Sequence, residues 1–262
     1  MSWYNLPPEI RNKILFTLVE DKSRKLASAA AVCHGWQAVI EPHTFANIRL
    51  TPSRLTELNS MTRRSRSLVR YLWFCIELPR YQCTECDYMA HNPVFGTSDS
   101  EGKLIEEAFQ SLFSALSSWE PSGDLTLDIS LYSNSDNEHA FKYITFMPDA
   151  PGHGVEQMPV VENEQHDKHR WKKMWWASGP LLPPLASVDR LFGSIILNTQ
   201  RIGHRAPGVP AVTRLVMRLQ THRSWSAWTV KKIVSRLPGL REFHYEPWRL
   251  WSDGLQELDD DG

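Results

Sequence analysis

The amino-acid sequence predicts a mixed α+β or α/β fold, with three short N-terminal helices followed by an irregular helix–strand repeat. Three observations favour this fold. Apolar residues recur at helical spacing in the first forty positions. Farther along the chain, one apolar spacing that is typical of strands returns several times. A long helical pattern also stands directly before a clear period-two strand, which is the order that such a repeat needs.

The first helix is predicted from one apolar stripe, which comprises Ile10, Ile14, Leu15 and Leu18. Asn5 is a good N-cap, and the two prolines that follow suit a first turn, where backbone N–H groups lack partners anyway. A second helix is expected over 26–32, and a third carries Trp36 until Pro42 discourages its continuation. Three helices this short cannot bury all their apolar surface among themselves, so some of it should face a partner or the rest of the chain.

The same segment resembles an F-box, the helical module that joins a protein to a cullin–RING ubiquitin ligase through a Skp-type adaptor. The resemblance is carried by Leu6-Pro7-Pro8-Glu9-Ile10 and by Val32-Cys33-His34-Gly35-Trp36, and it covers residues 2–48. It departs from the family at Gly35, where Lys or Arg often precedes the Trp, and in the alanine-rich second helix. The resemblance implies an adaptor-facing surface formed by Leu6, Pro7, Ile10, Ile14, Leu15, Leu18, Val32, Cys33 and Trp36. The alternative is an ordinary helical subdomain that packs on its own C-terminal domain.

Residues 49–67 are predicted to form a polar bridge that is helical over 52–61 and ends in the basic run Arg63-Arg64-Ser65-Arg66. Such a run can contact phosphate, but it more often forms a solvated helix end or a linker. We therefore interpret 49–67 as a helical, basic linker.

The region 68–262 is predicted from the spacing L-x-x-L-x-L, the strand signature of leucine-rich repeats. Copies begin at Val69, Val212 and Leu240, and a weaker copy at Val188 has Gly193 where an apolar side chain belongs. A helix over 103–119 precedes a strand over 125–131, and another helix over 228–237 precedes the last copy. A long insertion is expected over 148–184. The result is a degenerate leucine-rich-repeat-like solenoid, although an α/β sandwich could produce some of these patterns.

Segments such as Cys75-Ile76-Glu77-Leu78-Pro79 and Phe243-His244-Tyr245-Glu246-Pro247 are similar to those of filamentous-fungal F-box proteins with degenerate leucine-rich repeats. This second resemblance implies no chemistry that can be assigned to particular residues.

Composition narrows the function classes. The formal net charge is −1, which argues against wholesale attraction to nucleic acid or to an anionic membrane. No apolar run approaches the ~20 residues that span a bilayer, and the N-terminus lacks the features of a secretory signal. Four cysteines do not make a disulfide framework. We expect an intracellular protein of the cytoplasm or nucleus, with reduced thiols and no membrane partner.

Chemistry-bearing motifs are weak. Cys83-x-x-Cys86, followed by His91, could supply three zinc ligands, but no second paired motif is present. We favour two reduced cysteines in a turn, and we predict no cofactor and no catalytic residues. Phosphate-binding, hydrolase and dinucleotide fingerprints are absent from the sequence, so nothing invites an enzymatic assignment. The clustered tryptophans, including Trp225 and Trp228, are expected to pack in the core.

The F-box resemblance implies a non-enzymatic substrate receptor of an SCF-type ligase, which binds the adaptor by its N-terminal helices and an unknown client by its repeats. One alternative is an F-box scaffold or regulator that acts outside ubiquitination. A third, weaker hypothesis is a zinc-assisted nucleic-acid binder that uses the Cys83/Cys86 segment.

Overall fold

A computed structural model of the protein describes residues 3–21, 26–81, 97–136, 190–197, 206–218 and 223–246. The fold mixes helices with parallel sheet, as predicted. The helices are α1 (Pro8–Glu20), α2 (Leu26–Ala30), α3 (His34–Ala46), α4 (Leu55–Met61), α5 (Asp99–Leu116) and α6 (Ala227–Val234). The strands are β1 (Asn47–Leu50), β2 (Tyr71–Leu78), β3 (Thr126–Ser133), β4 (Ser194–Ile195), β5 (Arg214–Met217), β6 (Ser224–Trp225) and β7 (Glu242–Tyr245).

The main sheet has five strands, and every neighbouring pair is parallel. Its order, β1-β2-β3-β5-β7, follows the order of the chain. Strands β4 and β6 form a separate parallel pair, and β6 immediately precedes α6. Each strand of the main sheet is therefore reached from the previous one by a connection that returns to the same end of the sheet.

Alternation along the strands decides which side of the sheet is buried. One side carries fully buried apolar side chains, and α5 lies against them with its own apolar stripe. These buried side chains are Leu72, Phe74, Ile76, Leu127, Ile129, Leu131, Leu215 and Met217 from the strands and Ile105, Phe109, Leu112 and Phe113 from α5. A capping box between Ser98 and Glu101 fixes the start of α5. The strands at 69–76, 125–131 and 212–217 are thus confirmed within about two residues, and the helix over 103–119 is confirmed with ends that lie three to four residues earlier.

Residues 49–67, which we predicted to be a linker, contribute directly to this core. Leu50 ends β1, and Leu55 and Leu58 lie on α4; all three are buried with the strands of the sheet. Strand β1 begins at the residue after α3 ends, so the N-terminal helices run into the sheet without a spacer.

Two details of the N-terminal helices differ from the prediction. Asn5 lies in a short 3-10 turn and does not cap α1, which begins at Pro8 after an extended Pro7. The physical reason is that a residue before proline is kept out of the helical region. Helix α3 also continues through Pro42. Ala38, whose carbonyl loses a partner there, is exposed, so water can satisfy it.

The predicted insertion over 148–184 and the last residues of the chain lie outside the described residues. Within the described ranges, no helix is both long enough and apolar enough to cross a bilayer.

Candidate functional site

The apolar stripe of α1 is divided between the interior and the surface. Leu15 is 3 % exposed, whereas Ile10 and Ile14 are 45 % and 44 % exposed. At 100° per residue, the buried direction of the helix lies toward Leu15, and the two isoleucines lie toward one edge of the stripe. Leu18, between these directions, is half-buried. The helix therefore uses only part of its apolar face to pack within the chain.

Helix α3 forms the centre of this N-terminal module, because it packs against both α1 and α2. Its Ile40 is completely buried. Trp36 is half-buried, and its ring centroid lies 5.0 Å from that of Trp3 in the preceding 3-10 turn. The sequence argument did not anticipate this Trp3 contact.

The other predicted residues of the adaptor-facing surface are open to varying degrees. Val32, in the turn between α2 and α3, is 62 % exposed, and Pro7 is exposed. Leu6 and Cys33 are half-buried, and Cys33 is a free thiol. Of the predicted set, only Leu15 is fully withdrawn from solvent. We define the exposed large aliphatic members Ile10, Ile14 and Val32 as the N-terminal apolar surface.

Phe16, which was not predicted as a surface residue, is about half exposed and meets the His43 ring edge-on at 6.1 Å. Phe16 lies about 240° around the helix from Ile10, on the side that periodicity assigns to polar residues. A large aromatic residue on the polar side of an amphipathic helix is the signal that could have indicated it.

The second candidate surface is the side of the main sheet that faces away from α5, which we call the outer sheet face. Its side chains come from the alternate strand positions and include an unusual share of aromatic residues and arginines. These residues are Arg49, Tyr71, Trp73, Tyr132, Arg214, Arg218, Glu242 and His244.

The buried carboxylate of Asp128 connects side chains of the two neighbouring strands in the middle of the outer sheet face. It is only 5 % exposed, accepts a hydrogen bond from the Tyr71 hydroxyl, and lies 3.5 Å from Nε of Arg218. Burial raises the pKa of Asp128 above its ordinary value, although the Tyr71 hydrogen bond and Arg218 oppose that shift. Burial likewise raises the pKa of Tyr71, and the nearby carboxylate adds to the effect. Tyr71 therefore remains a proton donor to Asp128.

Beside this network, two contacts hold the side chain of Trp73 in place. Its indole Nε1 donates to Oγ of Ser130 at 2.8 Å, and the guanidinium of Arg49 lies 4.8 Å above its ring. Cys75 beneath them is fully buried, which raises the pKa of its thiol. These contacts hold large aromatic groups in place before any partner arrives, which lowers the entropic cost of binding.

A separate polar cluster lies at the carboxyl ends of β2 and β3. Asp136 accepts hydrogen bonds from the Tyr81 hydroxyl at 3.1 Å and from the backbone N–H of Ser133 at 2.8 Å. Nη1 of Arg223 lies 3.6 Å from the same carboxylate, and both side chains are almost completely buried. Among the described residues, none of the three guanidinium nitrogens of Arg223 finds a hydrogen-bond partner. The cluster is an internal support of the loops at this end of the sheet.

Cys83, Cys86 and His91, the weak zinc candidates, lie outside the described residues. In the part of the chain that the structure describes, no three His, Cys, Asp or Glu side chains are placed to hold a metal ion. Two of the tryptophans predicted for the core, Trp225 and Trp228, differ: Trp225 is buried, but Trp228 is half exposed, with the ammonium groups of Lys231 and Lys232 over its ring. The prediction of core packing is therefore wrong for Trp228, which makes cation–π contacts on the surface instead.

No family model, no curated protein and no solved structure matches this chain.

Proposed function

We propose that the protein is the substrate-recognition subunit of an SCF-type ubiquitin ligase. Its N-terminal helices bind a Skp-type adaptor, and its sheet region binds a client protein. The protein itself carries out no chemistry in this proposal. It raises the effective concentration of the client's lysines near the ubiquitin-charged enzyme.

The observation that carries the proposal is the exposure of Ile10 and Ile14 on α1. Two isoleucines one turn apart retain almost half of their surface in solvent, although Leu15 next to them is buried. Scattered exposed apolar residues are normal on proteins. Here, however, the exposed residues coincide with positions that the F-box resemblance assigns to the adaptor contact, and Val32 does so as well.

The sheet supports the second half of the proposal. Its strands lie in chain order and are all parallel, as in a solenoid of helix–strand repeats. Asn47 pairs with Tyr71, 24 residues later, and Arg214 pairs with Glu242, 28 residues later. Both intervals fall in the range of ~20–29 residues of leucine-rich repeats, whereas Thr126 follows its partner Tyr71 by 55 residues and Arg214 follows its partner Thr126 by 88. The outer sheet face, rich in Trp, Tyr and Arg, has the composition of protein-binding surfaces.

The test is co-purification with a recombinant Skp-type adaptor. Wild-type protein should retain the adaptor, and the double variant Ile10→Asp, Ile14→Asp should lose it, because both carboxylates would be buried without partners at the interface. Trp228→Asp is a matched control, because it places the same charge on another exposed apolar position, far along the chain on α6. Equal recovery of the adaptor by the double variant would refute the adaptor contact.

A second experiment distinguishes a ligase subunit from a scaffold that binds the adaptor but acts outside ubiquitination. Proteins that associate with a receptor should accumulate when the cullin is inhibited. If their turnover does not change while the adaptor still binds, the protein acts outside ubiquitination.

A further inference from the structure

Strand β7 is paired on one side only within the described part of the chain, because it is the last strand in the sheet order. Its backbone N–H groups at Glu242 and Glu246 donate to Thr213 and Met217 at 3.1 and 2.9 Å. Alternate residues of a parallel strand direct their N–H and C=O groups to opposite sides. Phe243 and Tyr245 therefore direct theirs away from β5, toward the open edge.

The side chains on the inner side of this edge are only partly covered. Phe243 is in register with Leu215, which is completely buried, yet Phe243 is 43 % exposed. Its ring stacks on that of Tyr245, with centroids 6.0 Å apart and an angle of 11° between the planes. Within the described residues, the core row of the sheet thus ends at β7, where Phe243 is partly exposed and Tyr245 is half-buried with its hydroxyl bonded to the Trp225 backbone.

The outer side of the same edge ends on carboxylates. Arg214 of β5 forms an ion pair with Glu242 at 2.8 Å. Among the described residues, Glu242 is therefore the last side chain of this row across the sheet. One residue pair farther on, His244 lies 2.6 Å from Glu246. Side chains directly opposite each other on neighbouring strands favour unlike charges. A strand placed beside β7 is therefore favoured when its outward side chains are basic.

We propose that the open edge of β7 binds an extended segment of a partner protein in which apolar and basic residues alternate. The apolar side chains pack against Phe243 and Tyr245, the basic side chains lie beside Glu242 and Glu246, and the backbone adds a sixth strand to the sheet. Main-chain hydrogen bonds supply the affinity and the alternating side chains supply the specificity, as in other cases of strand addition. The inference rests on the proposed function in one respect: this segment would belong to the client.

The probe is a short synthetic peptide that alternates lysine and valine, and the readouts are peptide binding and the hydrogen exchange of the Phe243 and Tyr245 amides. We expect the peptide to bind the full chain and to slow the exchange of both amides. A peptide that alternates glutamate and valine should bind about tenfold more weakly. A lysine–valine peptide whose edge-facing amides are N-methylated should not bind.

The charge-reversal variant Glu242→Lys tests the specificity. It should exchange the two preferences, so that the glutamate–valine peptide binds better than the lysine–valine peptide. Glu107→Lys, an equally exposed glutamate on α5, is the matched control and should leave the preference unchanged.

Several results would overturn the proposal. Equal binding of the two peptides would exclude charge-guided strand addition, and so would the absence of binding. Amides that are already protected in the free chain would show that the edge is occupied. Protection at every concentration would identify another part of the same chain as the occupant, and protection that depends on concentration would identify a second copy. No adaptor is needed in these measurements, so their failure would leave the adaptor co-purification result intact.

Discussion

Replacing Ile10 and Ile14 by alanine measures how much the N-terminal apolar surface contributes to the free energy of adaptor binding. Complete burial of an isoleucine side chain is worth about 1.5–3 kcal/mol. Since both side chains are 45 % and 44 % exposed, covering the remaining surface is worth about 1 kcal/mol for each. The double variant should therefore bind the adaptor with about 2 kcal/mol less free energy, a loss of about thirtyfold in affinity.

The effects of these substitutions on binding and on folding can be distinguished with a control on the same helix. Slightly more than half of each isoleucine is buried, so the double alanine variant should also lose about 2–3 kcal/mol of free energy of unfolding. Leu15→Ala is the matched control on the same helix, because its side chain is 3 % exposed and its truncation should cost about 2–5 kcal/mol of stability.

Calorimetric titration of the adaptor and urea denaturation of the isolated protein give the two numbers. The expected result is that the double variant and Leu15→Ala lose comparable stability, but that only the double variant loses affinity for the adaptor. An affinity that stays within twofold of wild type in the double variant would refute the assignment of this surface to the adaptor.

Three further predictions concern the sheet region. Burial raises the pKa of Asp128 above its ordinary value of 3.8, so its favourable contribution to folding is complete below that pH and is lost as the pH rises through the folded pKa. Asp128→Asn should therefore gain stability relative to wild type as the pH rises from about 4 through the folded pKa of Asp128; a constant difference in urea denaturation would contradict this. Asp136→Ala should cost about 3–5 kcal/mol, because it leaves a buried guanidinium uncompensated, whereas Arg223→Met should cost less. A larger loss for Arg223→Met in the same assay would contradict that order. Gly239→Ala should lose about 1–3 kcal/mol, because its Cβ would overlap the carbonyl oxygen of Pro210, but Gly102→Ala, in open space on α5, should gain up to about 1 kcal/mol. Thermal denaturation of the two alanine variants tests this prediction. Midpoint temperatures that shift in the same direction in both variants would contradict it.

The strands and α5 could be predicted because their signal is local. Each buried row follows from alternation or from the 3.6-residue period, and these periods do not depend on distant partners. The boundaries at Asn5 and Pro42 were wrong because a propensity was applied without its context. Pro8 determined the conformation of the residue before it, and an exposed carbonyl made Pro42 tolerable within α3.

The contacts that define the candidate sites could not be predicted, because they join residues far apart in the chain. Tyr71 and Asp128 contact each other from neighbouring strands. Arg223 contacts Asp136 although a long stretch of the chain separates the two residues. The hydropathy pattern marks Asp128 only as a polar residue on the outward side of a strand. Its burial depends on Tyr71 and Arg218, and nothing in the local sequence specifies that they will cover it.

The copies of the strand spacing show where periodicity stops being informative. Leu215 and Phe243 occupy the same position in two copies and lie side by side in the sheet, yet one is sealed and the other is 43 % exposed. The spacing is the same, so the difference comes from the neighbour: among the described residues, β5 has a strand on each side, whereas β7 has one. The pattern therefore specifies the direction of a side chain but not the group that covers it. The same reasoning applies to α1, where one stripe sends Leu15 inward and leaves Ile10 and Ile14 outside. In both places the sequence encodes more apolar surface than the described fold uses, and that excess is what a partner can bury.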